Sequence, residues 1–260
     1  SRPNVTVDAS CLSIKSGNCI ILRGGSDSFY SSKELINIIT TSFNEAGLPY
    51  NCVQMINTPE REAVDYLLNM HEYVDVIIPR GGKGLINKIN SSSKIPVIKH
   101  LDGICHVYVD KDADLKIAEK VVFNSKMRRP EICGAAETLL IDESLKNKAM
   151  DILMPLKKVN CEIRGDEFIR SLDKDFKKAY EDDWSLEYLD KILSVKIVSG
   201  VEEAILHING YSSGHTESII TNNYETFKNF YNKIDSAIIL KNASTQFADG
   251  GEFGFGAEIG

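Results

Sequence analysis

The chain has 260 residues, of which 43% are hydrophobic and 26% charged, so it can form one large domain or two modest ones with their own cores. Its formal net charge of −7 argues against a nucleic-acid-binding protein, and no apolar run is long enough to cross a bilayer. The chain opens without an initiating methionine or a secretory signal and closes on the glycine-rich stretch GGEFGFGAEIG. We therefore expect a piece of a longer protein, cut at both ends.

The six cysteines are scattered along the sequence and form no C-x-x-C pair. This pattern indicates neither a zinc site nor a disulfide framework, and it favours a reducing, cytoplasmic location. His100 and His106 are six residues apart, which suits neither a helical nor a close strand metal pair. The sequence therefore predicts no metal site.

Short apolar strands alternate with amphipathic helices in the first part of the chain. The run NCIILRGG, residues 18–25, predicts a buried strand that enters a loop. Residues 31–47 have apolar side chains at helical spacing, begin with serines suited to capping and end at Gly47. Further strands are predicted from CVQMI, VDVIIP, IPVIKHL and CHVYVD, and further helices from TPEREAVDYLLNMHE and from the residues after PRGG.

A second α/β pattern begins after about residue 110. Helices are predicted from DADLKIAEKVVFNSKM, VEEAILHIN and YETFKNFYNKI, and strands from TLLID, ILSVKIV and SAIILKN. The polar segment 157–185 is predicted to be a surface excursion. Continuous Val/Ile-rich strands between amphipathic helices predict parallel sheets covered on both faces, and hence an α/β fold.

Two glycine-containing strand ends, ILRGGS and IIPRGGKG, are candidates for binding phosphate groups. In an open α/β sheet nucleotides bind beyond the carboxyl ends of strands, where backbone N–H groups can approach phosphates. Arg23, Arg80 and Lys83 would add positive charge. Neither segment has the spacing of the Rossmann fingerprint or of the P-loop, and a structural glycine turn is the alternative interpretation of each.

Cys133, in NSKMRRPEICGAAETLLID, is the candidate nucleophile, and a buried inert thiol is the alternative. Three cationic residues precede it, namely Lys126, Arg128 and Arg129. Positive charge or a helix start lowers the pKa of a thiol and increases the thiolate fraction. His215, in SSGHTES, lies in a loop of small residues, where a surface histidine without a function is the alternative.

Taken together, several long segments in a fixed order resemble one family. They are SRPNVTVDA, KSGNCIILRGG, EAGLP, VDVIIPRGGKGLI, PVIKHLDGICHVYVD, RRPEICGAAETLL, SSGHTE and NASTQFADGGEFGFGAEIG. This set resembles the γ-glutamyl phosphate reductases, also called glutamate-5-semialdehyde dehydrogenases, of the aldehyde dehydrogenase superfamily. The resemblance implies an oxidoreductase of proline biosynthesis that reduces γ-glutamyl phosphate with NADPH, through a cysteine thioester, to glutamate 5-semialdehyde and phosphate.

The resemblance also implies a domain organisation and the role of individual residues. An incomplete, Rossmann-like NADP(H)-binding domain is expected over 1–110, a catalytic α/β domain over 111–243, and a return segment over 244–260. Cys133 would be the nucleophile and Asn4 an oxyanion donor. The residues expected to bind the cofactor are Arg23, Gly24, Gly81, Gly82 and Glu187.

Some positions depart from the pattern of related enzymes. His100 stands where hydrolytic aldehyde dehydrogenases have the glutamate that activates water, and losing that base suits an enzyme that must not hydrolyse its thioester. Gly134 and Gln246 stand where many members have asparagine and arginine, which leaves the group that binds the substrate carboxylate open. The candidates for substrate binding are His100, Arg129, His215 and Ser244.

Other interpretations stay open at the level of the sequence. The chain could be a hydrolytic NAD-dependent aldehyde dehydrogenase, a fragment that only binds nucleotide, or the reductase half of a fused kinase and reductase. For the leading hypothesis we expect a small-molecule substrate and no nucleic-acid or membrane partner. We also expect a homo-oligomeric parent protein and a functional partnership with glutamate 5-kinase.

Overall fold

The computed structural model describes residues 3–98 and 102–256, except for the side chain of Lys83. The described chain divides into two compact units. The first contains the residues up to 98 together with 254–256, and the second contains residues 102–253. No helix in these described ranges is both long enough and apolar enough to cross a membrane.

The first unit is an α/β structure with parallel strand pairing. Strands β1 and β2 pair in parallel, with Ile20 opposite Val53, and an isolated parallel bridge joins Ile77 to Val97. The elements in chain order are α1 (Asn4–Lys15), β1 (Ile20–Leu22), α2 (Phe29–Glu45), β2 (Val53–Met55), α3 (Glu62–Leu67) and α4 (Lys83–Ser92). The predicted strands 74–79 and 95–101 therefore contribute one bridge among the described residues.

Helix α2 confirms the predicted helix of residues 31–47 and its glycine stop. Gly47 has a φ of +74°, which an L-residue adopts only at a cost. Its N–H donates to the carbonyl of Asn44 at 3.1 Å, and the N–H of Leu48 donates to Phe43 at 2.8 Å. This pair of bonds is a Schellman motif, which ends the helix by satisfying its last carbonyl groups.

The second unit is built on a parallel sheet of seven strands within the described residues, in the order β6-β5-β7-β4-β3-β8-β9. Its strands are β3 (Cys105–Val109), β4 (Ala136–Asp142), β5 (Glu162–Gly165), β6 (Lys177–Lys178), β7 (Ile192–Val198), β8 (Thr216–Ile220) and β9 (Ile238–Lys241). Its helices are α5 (Leu115–Met127), α6 (Ala149–Lys158), α7 (Glu167–Leu172), α8 (Val201–Tyr211) and α9 (Tyr224–Lys233).

Both faces of this sheet are covered, as its continuous apolar strands predicted. Side chains alternate along β4, so that Leu139 and Ile141 join the core beneath α5, α6 and α7, while Leu140 joins the core beneath α8 and α9. The chain moves from β3 to β4 in one direction and from β7 to β8 in the other. Right-handed crossovers therefore place α5 and α8 on opposite faces.

The division into units differs from the predicted domain boundaries. Residues 105–109, expected in the first domain, form β3, which pairs with β4 and β8 at the centre of the second sheet. Residues 244–253, expected to return towards the first domain, stay in the second unit. Only from residue 254 do the described residues belong to the first unit again.

The prediction of a surface excursion over 157–185 is wrong. This segment supplies β5 and β6 to the large sheet, with Ile163 and Ile169 fully buried in its core. Its charges misled the sequence interpretation because they pair with one another: Arg164 bonds to Glu162 at 2.8 Å and to Asp183 at 2.7 Å. A charged segment can therefore form strands near the edge of the sheet when its charges are paired in this way.

A buried polar network ties the carboxyl ends of β3, β4 and β8 together. The hydroxyl of Tyr108 lies 3.2 Å from Oδ1 of Asp110 and 3.1 Å from Oδ2 of Asp142, and Oγ1 of Thr221 donates to Asp110 at 2.7 Å. Burial, together with the two carboxylates, raises the pKa of Tyr108 well above its ordinary value. The hydroxyl is therefore a permanent donor between two acid groups.

Replacing Tyr108 by phenylalanine tests this network. The ring still fills its place, but two buried carboxylates lose a donor, so we expect Tyr108→Phe to lower the free energy of unfolding by about 1–3 kcal/mol. Urea denaturation measures the change. Tyr224→Phe, whose side chain is 64% exposed, is the matched control and is expected to have little effect. Equal losses in the two variants would contradict the role of the network.

Candidate functional site

Three predicted site residues of the second unit, Cys133, Glu187 and His215, lie with Gly103 at the amino edge of its sheet. Gly103, Cys133, Glu187 and His215 lie one to five residues before β3, β4, β7 and β8 respectively. These four strands are neighbours in the sheet, and all are parallel. Residues that precede parallel strands lie at the same edge, so the topology brings together segments that are up to 112 positions apart in sequence.

Cys133 occupies an exposed turn between α5 and β4. The turn is closed by the N–H of Ala135, which donates to the carbonyl of Ile132 at 2.9 Å. Gly134 and Ala135, directly after the cysteine, are buried. Cys133 is therefore exposed on a turn whose following residues are buried, and the alternative of a buried thiol is wrong for this residue.

Gly103 is the residue on which the Cys133 turn rests. A Cβ atom added to Gly103 would lie 2.0 Å from the carbonyl oxygen of Cys133 and 2.5 Å from its Cα, so only glycine permits this approach. The N–H of Gly103 donates to Oε1 of Glu187 at 2.9 Å. Gly103 thus joins the candidate nucleophile to the candidate ribose-binding glutamate.

A second thiol lies beneath the first. Cys105 is fully buried at the start of β3, and its Sγ is 3.2 Å from the carbonyl oxygen of Cys133 and 3.7 Å from Nδ1 of His215. Nδ1 of His215 is also 2.8 Å from Oγ1 of Thr216. The half-buried His215 is therefore part of the layer under Cys133.

Glu217 holds the SSGHTE loop, residues 212–217, in place against β3. Its carboxylate is fully buried, accepts the backbone N–H of His106 at 2.9 Å, lies 3.1 Å from the His106 ring and receives the hydroxyl of Ser212. In the same loop, Oγ of Ser213 accepts the N–H of Ile104 at 2.9 Å. These bonds set the position of His215 relative to Cys105.

Residues 244–246, which follow β9, pack beside the turn that carries Cys133. A Cβ atom on Gly134 would lie 3.3 Å from the carbonyl oxygen of Thr245, so this segment packs directly on the residue after the cysteine. Gln246 donates to the carbonyl of Ser125 at 2.9 Å, and Oγ of Ser244 lies 3.2 Å from Oγ of Ser125. Ser244 and Gln246 are both buried in these bonds.

The three cations before Cys133 have different environments, which corrects their treatment as one group. Lys126 is fully buried and pairs with Glu137 at 2.6 Å. Arg128 pairs with Glu252 at 2.7 Å and lies over the ring of Phe247. Arg129 is exposed and stays a predicted substrate-binding residue. Two of the three charges are therefore committed to acidic partners.

The Lys126–Glu137 pair also supports the segment that carries Glu187. Burial raises the pKa of Glu137 to about 7, and Lys126 and the backbone N–H of Leu189 oppose that rise only in part. Leu189 has a φ of +52°, a left-handed conformation uncommon outside glycine. The ring of Tyr188 lies 5.8 Å from Nζ of Lys126, and its hydroxyl bonds to Asp183 at 2.9 Å. Each of residues 187–189 thus has a partner: Glu187 bonds to Gly103, Tyr188 to Asp183, and the backbone of Leu189 to Glu137.

The remaining predicted residues lie in the first unit or outside the described chain. Asn4 is the exposed first residue of α1, with Nδ2 3.4 Å from Asp8, and its role as an oxyanion donor stays a prediction. Arg23 and Gly24 directly follow β1, and Gly81 and Gly82 directly precede α4. His100 lies outside the described residues.

Sequence reasoning did not single out several residues that build this edge. Gly103 and Cys105 stand in the segment PVIKHLDGICHVYVD, and Glu217 in SSGHTE, but no role was predicted for any of the three. A glycine directly before a predicted strand is a usable sign of close backbone approach. No local sign reveals the burial of Glu217, Glu137 or the already named Lys126, because a charged residue is ordinarily read as exposed.

Comparisons with known proteins agree with this architecture. The sequence profile described as the aldehyde dehydrogenase family matches residues 4–160. The γ-glutamyl phosphate reductases of Bartonella tribocorum and Bartonella bacilliformis are 55% and 54% identical to this chain over its whole length, which covers 64% and 63% of theirs. The crystal structure of γ-glutamyl phosphate reductase from Thermotoga maritima superposes with a TM-score of 0.96 at 46% identity, covering 100% of this chain and 63% of that one.

A more distant structure shares the fold. An acetylating aldehyde dehydrogenase from Geobacillus thermoglucosidasius is 22% identical, with a TM-score of 0.75 over 96% of this chain and 64% of that one. The fold is thus of the α/β class, and each of the two units contains parallel strands. With 157 of its residues matched by the profile, the chain belongs to the aldehyde dehydrogenase family. It spans about 64% of the length of the curated relatives it matches.

Substitution of Gly103 by alanine tests the contact beneath Cys133. The new methyl group would overlap the Cys133 backbone, so the turn must move, and we expect Gly103→Ala to lower the free energy of unfolding by about 1–3 kcal/mol or more. It should also change the rate at which Cys133 is alkylated. Gly210→Ala in α8 is the control, because no atom lies within 4 Å of its added Cβ. If both variants behaved alike, the close contact would not control the turn.

The buried carboxyl group of Glu137 predicts a pH dependence of stability. Its pKa rises from 4.5 to about 7 on folding, so the native state binds this proton more tightly than the unfolded state. The free energy of unfolding contributed by this group therefore falls as the pH rises from about 4.5 to about 7, by a few kcal/mol at most.

Urea denaturation between pH 5 and pH 8 measures this effect. The comparison is between the wild type and the Lys126→Met, Glu137→Gln double variant, which removes both charges. Relative to the double variant, the wild type should lose stability towards pH 8. Parallel pH profiles would contradict the raised pKa. The control is Glu119→Gln, which removes an exposed carboxyl group from α5, the helix that carries Lys126.

Proposed function

We propose that the protein containing this chain reduces γ-glutamyl phosphate to glutamate 5-semialdehyde and phosphate, with NADPH as reductant, as a step of proline biosynthesis. One observation carries the proposal. An exposed cysteine and a glutamate meet on one glycine, in a chain that is 55% identical over its whole length to a γ-glutamyl phosphate reductase. The function of the relatives is brought to this chain on that basis.

The residues of each unit fit the groups of a dinucleotide. In the first unit, Nε of Arg23 is buried without a hydrogen-bond partner among the described residues, which suits a residue that awaits a polar ligand. Gly82 caps the ten-residue helix α4, and no atom lies within 4 Å of its missing side chain, so a phosphate can approach the helix start. In the second unit, the half-buried Glu187 is proposed to bind the nicotinamide ribose.

Cys133 is proposed to perform covalent catalysis. Its thiolate attacks the acyl carbon of γ-glutamyl phosphate, the bond from that carbon to the phosphate oxygen breaks, and phosphate leaves with the bonding electrons. Bound NADPH would supply the hydride that reduces the resulting thioester. The carbon–sulfur bond then breaks, the aldehyde is released and the Cys133 thiolate is restored.

The developing oxyanion needs hydrogen-bond donors that are already in place. The backbone N–H of Cys133 is the proposed donor in the second unit, since its turn is fixed by Gly103 and by the Ile132–Ala135 bond. Asn4 is proposed as the second donor on the resemblance alone. Loss of one such donor typically costs about 3–4 kcal/mol of transition-state stabilisation, which corresponds to a rate loss of about 100- to 1000-fold.

The reaction can be assayed in the reverse direction with the gene product expressed at its full encoded length. We expect NADP reduction with glutamate 5-semialdehyde to require inorganic phosphate, because phosphate releases the acyl group from the thioester. Cys133→Ala should abolish turnover, whereas Cys161→Ala, which removes a buried thiol two strands away in the same sheet, should not.

The alternative outcomes separate the competing functions. Turnover that does not need phosphate would identify a hydrolytic aldehyde dehydrogenase and overturn the proposal. Binding of NADP by a folded protein that shows no turnover with either NADP or NAD would leave a nucleotide-binding module. A homo-oligomeric parent and a partnership with glutamate 5-kinase remain predictions.

A further inference from the structure

Cys105 contacts the backbone of the candidate nucleophile directly. Its Sγ lies 3.2 Å from the carbonyl oxygen of Cys133, and the Cys105 side chain is fully buried. The same oxygen is approached from the side of Gly103, where an added Cβ would lie only 2.0 Å away. The Cys133 carbonyl is therefore enclosed between a thiol donor and a residue that has no side chain.

This contact fixes more than one oxygen atom. The peptide unit is planar and trans, so the carbonyl of Cys133 and the N–H of Gly134 point in opposite directions. Holding the oxygen against Cys105 therefore sets the rotation of the whole Cys133–Gly134 peptide. Gly134 is in turn packed on Thr245, where its added Cβ would meet the carbonyl oxygen at 3.3 Å, so the peptide is held on both sides.

The chemistry of the two thiols differs because their surroundings differ. Burial raises the pKa of Cys105 well above its ordinary value, and the neighbouring acid groups Glu217 and Cys133 raise it further. Cys105 therefore keeps its proton over the working pH range, and a thiol that keeps its proton remains a hydrogen-bond donor. The side chain of Cys133, by contrast, is exposed.

We propose that Cys105 is a positioning residue for Cys133: its S–H group donates to the Cys133 carbonyl and holds the nucleophile's turn in the reactive orientation. The proposal rests on the proposed function only in that Cys133 is the nucleophile. The S–H group also offsets the negative end of the carbonyl dipole next to the Cys133 thiolate. Loss of that donor therefore disfavours the thiolate and raises the pKa of Cys133.

The test compares alanine and serine at two buried cysteines. Cys105→Ala removes the donor, whereas Cys105→Ser keeps a hydroxyl donor in the same place. Cys161 is the matched control: it is buried directly before β5 of the same sheet, and its thiol lies 3.9 Å from the carbonyl oxygen of the next residue, Glu162. Melting temperatures of all four variants separate loss of fold from loss of positioning.

Alkylation of Cys133 by iodoacetamide is the first readout, followed against pH by mass spectrometry of the peptide that contains it. The exposed Cys11 and Cys19 are internal controls in each sample. In Cys105→Ala we expect the midpoint of the Cys133 profile to move to higher pH, and in Cys105→Ser to return towards the wild type. Unchanged Cys133 profiles in Cys105→Ala would overturn the proposal.

Reductase activity is the second readout. In Cys105→Ala we expect kcat to fall about fivefold, the effect of losing one ordinary hydrogen bond, with the KM for cofactor unchanged. Cys105→Ser should recover most of kcat, and both Cys161 variants should retain it. Equal loss in Cys105→Ser and Cys105→Ala would indicate packing and overturn the proposal. Alkylation needs neither substrate nor cofactor. An inactive wild-type protein would therefore count against the proposed function, while the alkylation profiles would still test the role of Cys105.

Discussion

The contact between the backbones of Gly103 and Cys133 is the constraint on which the candidate site depends. A Cβ atom at position 103 would lie 2.0 Å from the Cys133 carbonyl oxygen, so β3 and the turn before β4 can meet only through glycine. The same glycine N–H binds Glu187 at 2.9 Å. Gly103 thereby fixes the turn of Cys133 and the segment of Glu187 relative to β3. A shift of the turn would change the distance from the Cys133 thiol to Glu187.

The two edges of the large sheet use buried polar groups in different ways. At the carboxyl edge, Tyr108 bridges Asp110 and Asp142, and the strand ends are closed by satisfied hydrogen bonds. At the amino edge, the buried Lys126–Glu137 pair leaves Oε1 of Glu137 without a hydrogen-bond partner among the described residues. A buried ion pair is weak support for stability because desolvation offsets its attraction. Its position beneath the segment of Glu187 fits a role in orientation.

The amino edge is an unusual place for a candidate nucleophile in an open α/β sheet, where ligands ordinarily bind beyond the carboxyl ends of strands. In the second unit the long side chains around the carboxyl ends bond to one another. Small residues precede the strands at the amino edge, so backbones approach closely and an exposed turn can carry Cys133 above the buried thiol of Cys105. Burial and the neighbouring acid groups raise the pKa of Cys105, whereas Cys133 is exposed.

The sequence by itself determined the parallel α/β class and the helix that stops at Gly47, because apolar periodicity and glycine stops act locally. It did not reveal strand β8, since Thr216, Glu217 and Ser218 read as polar loop although all three are fully buried. It also misread 157–185, whose charged side chains pair with one another around β5. Only the tertiary structure decided which strands are neighbours. Charge pairing and backbone approach depend on that order and leave no local pattern to read.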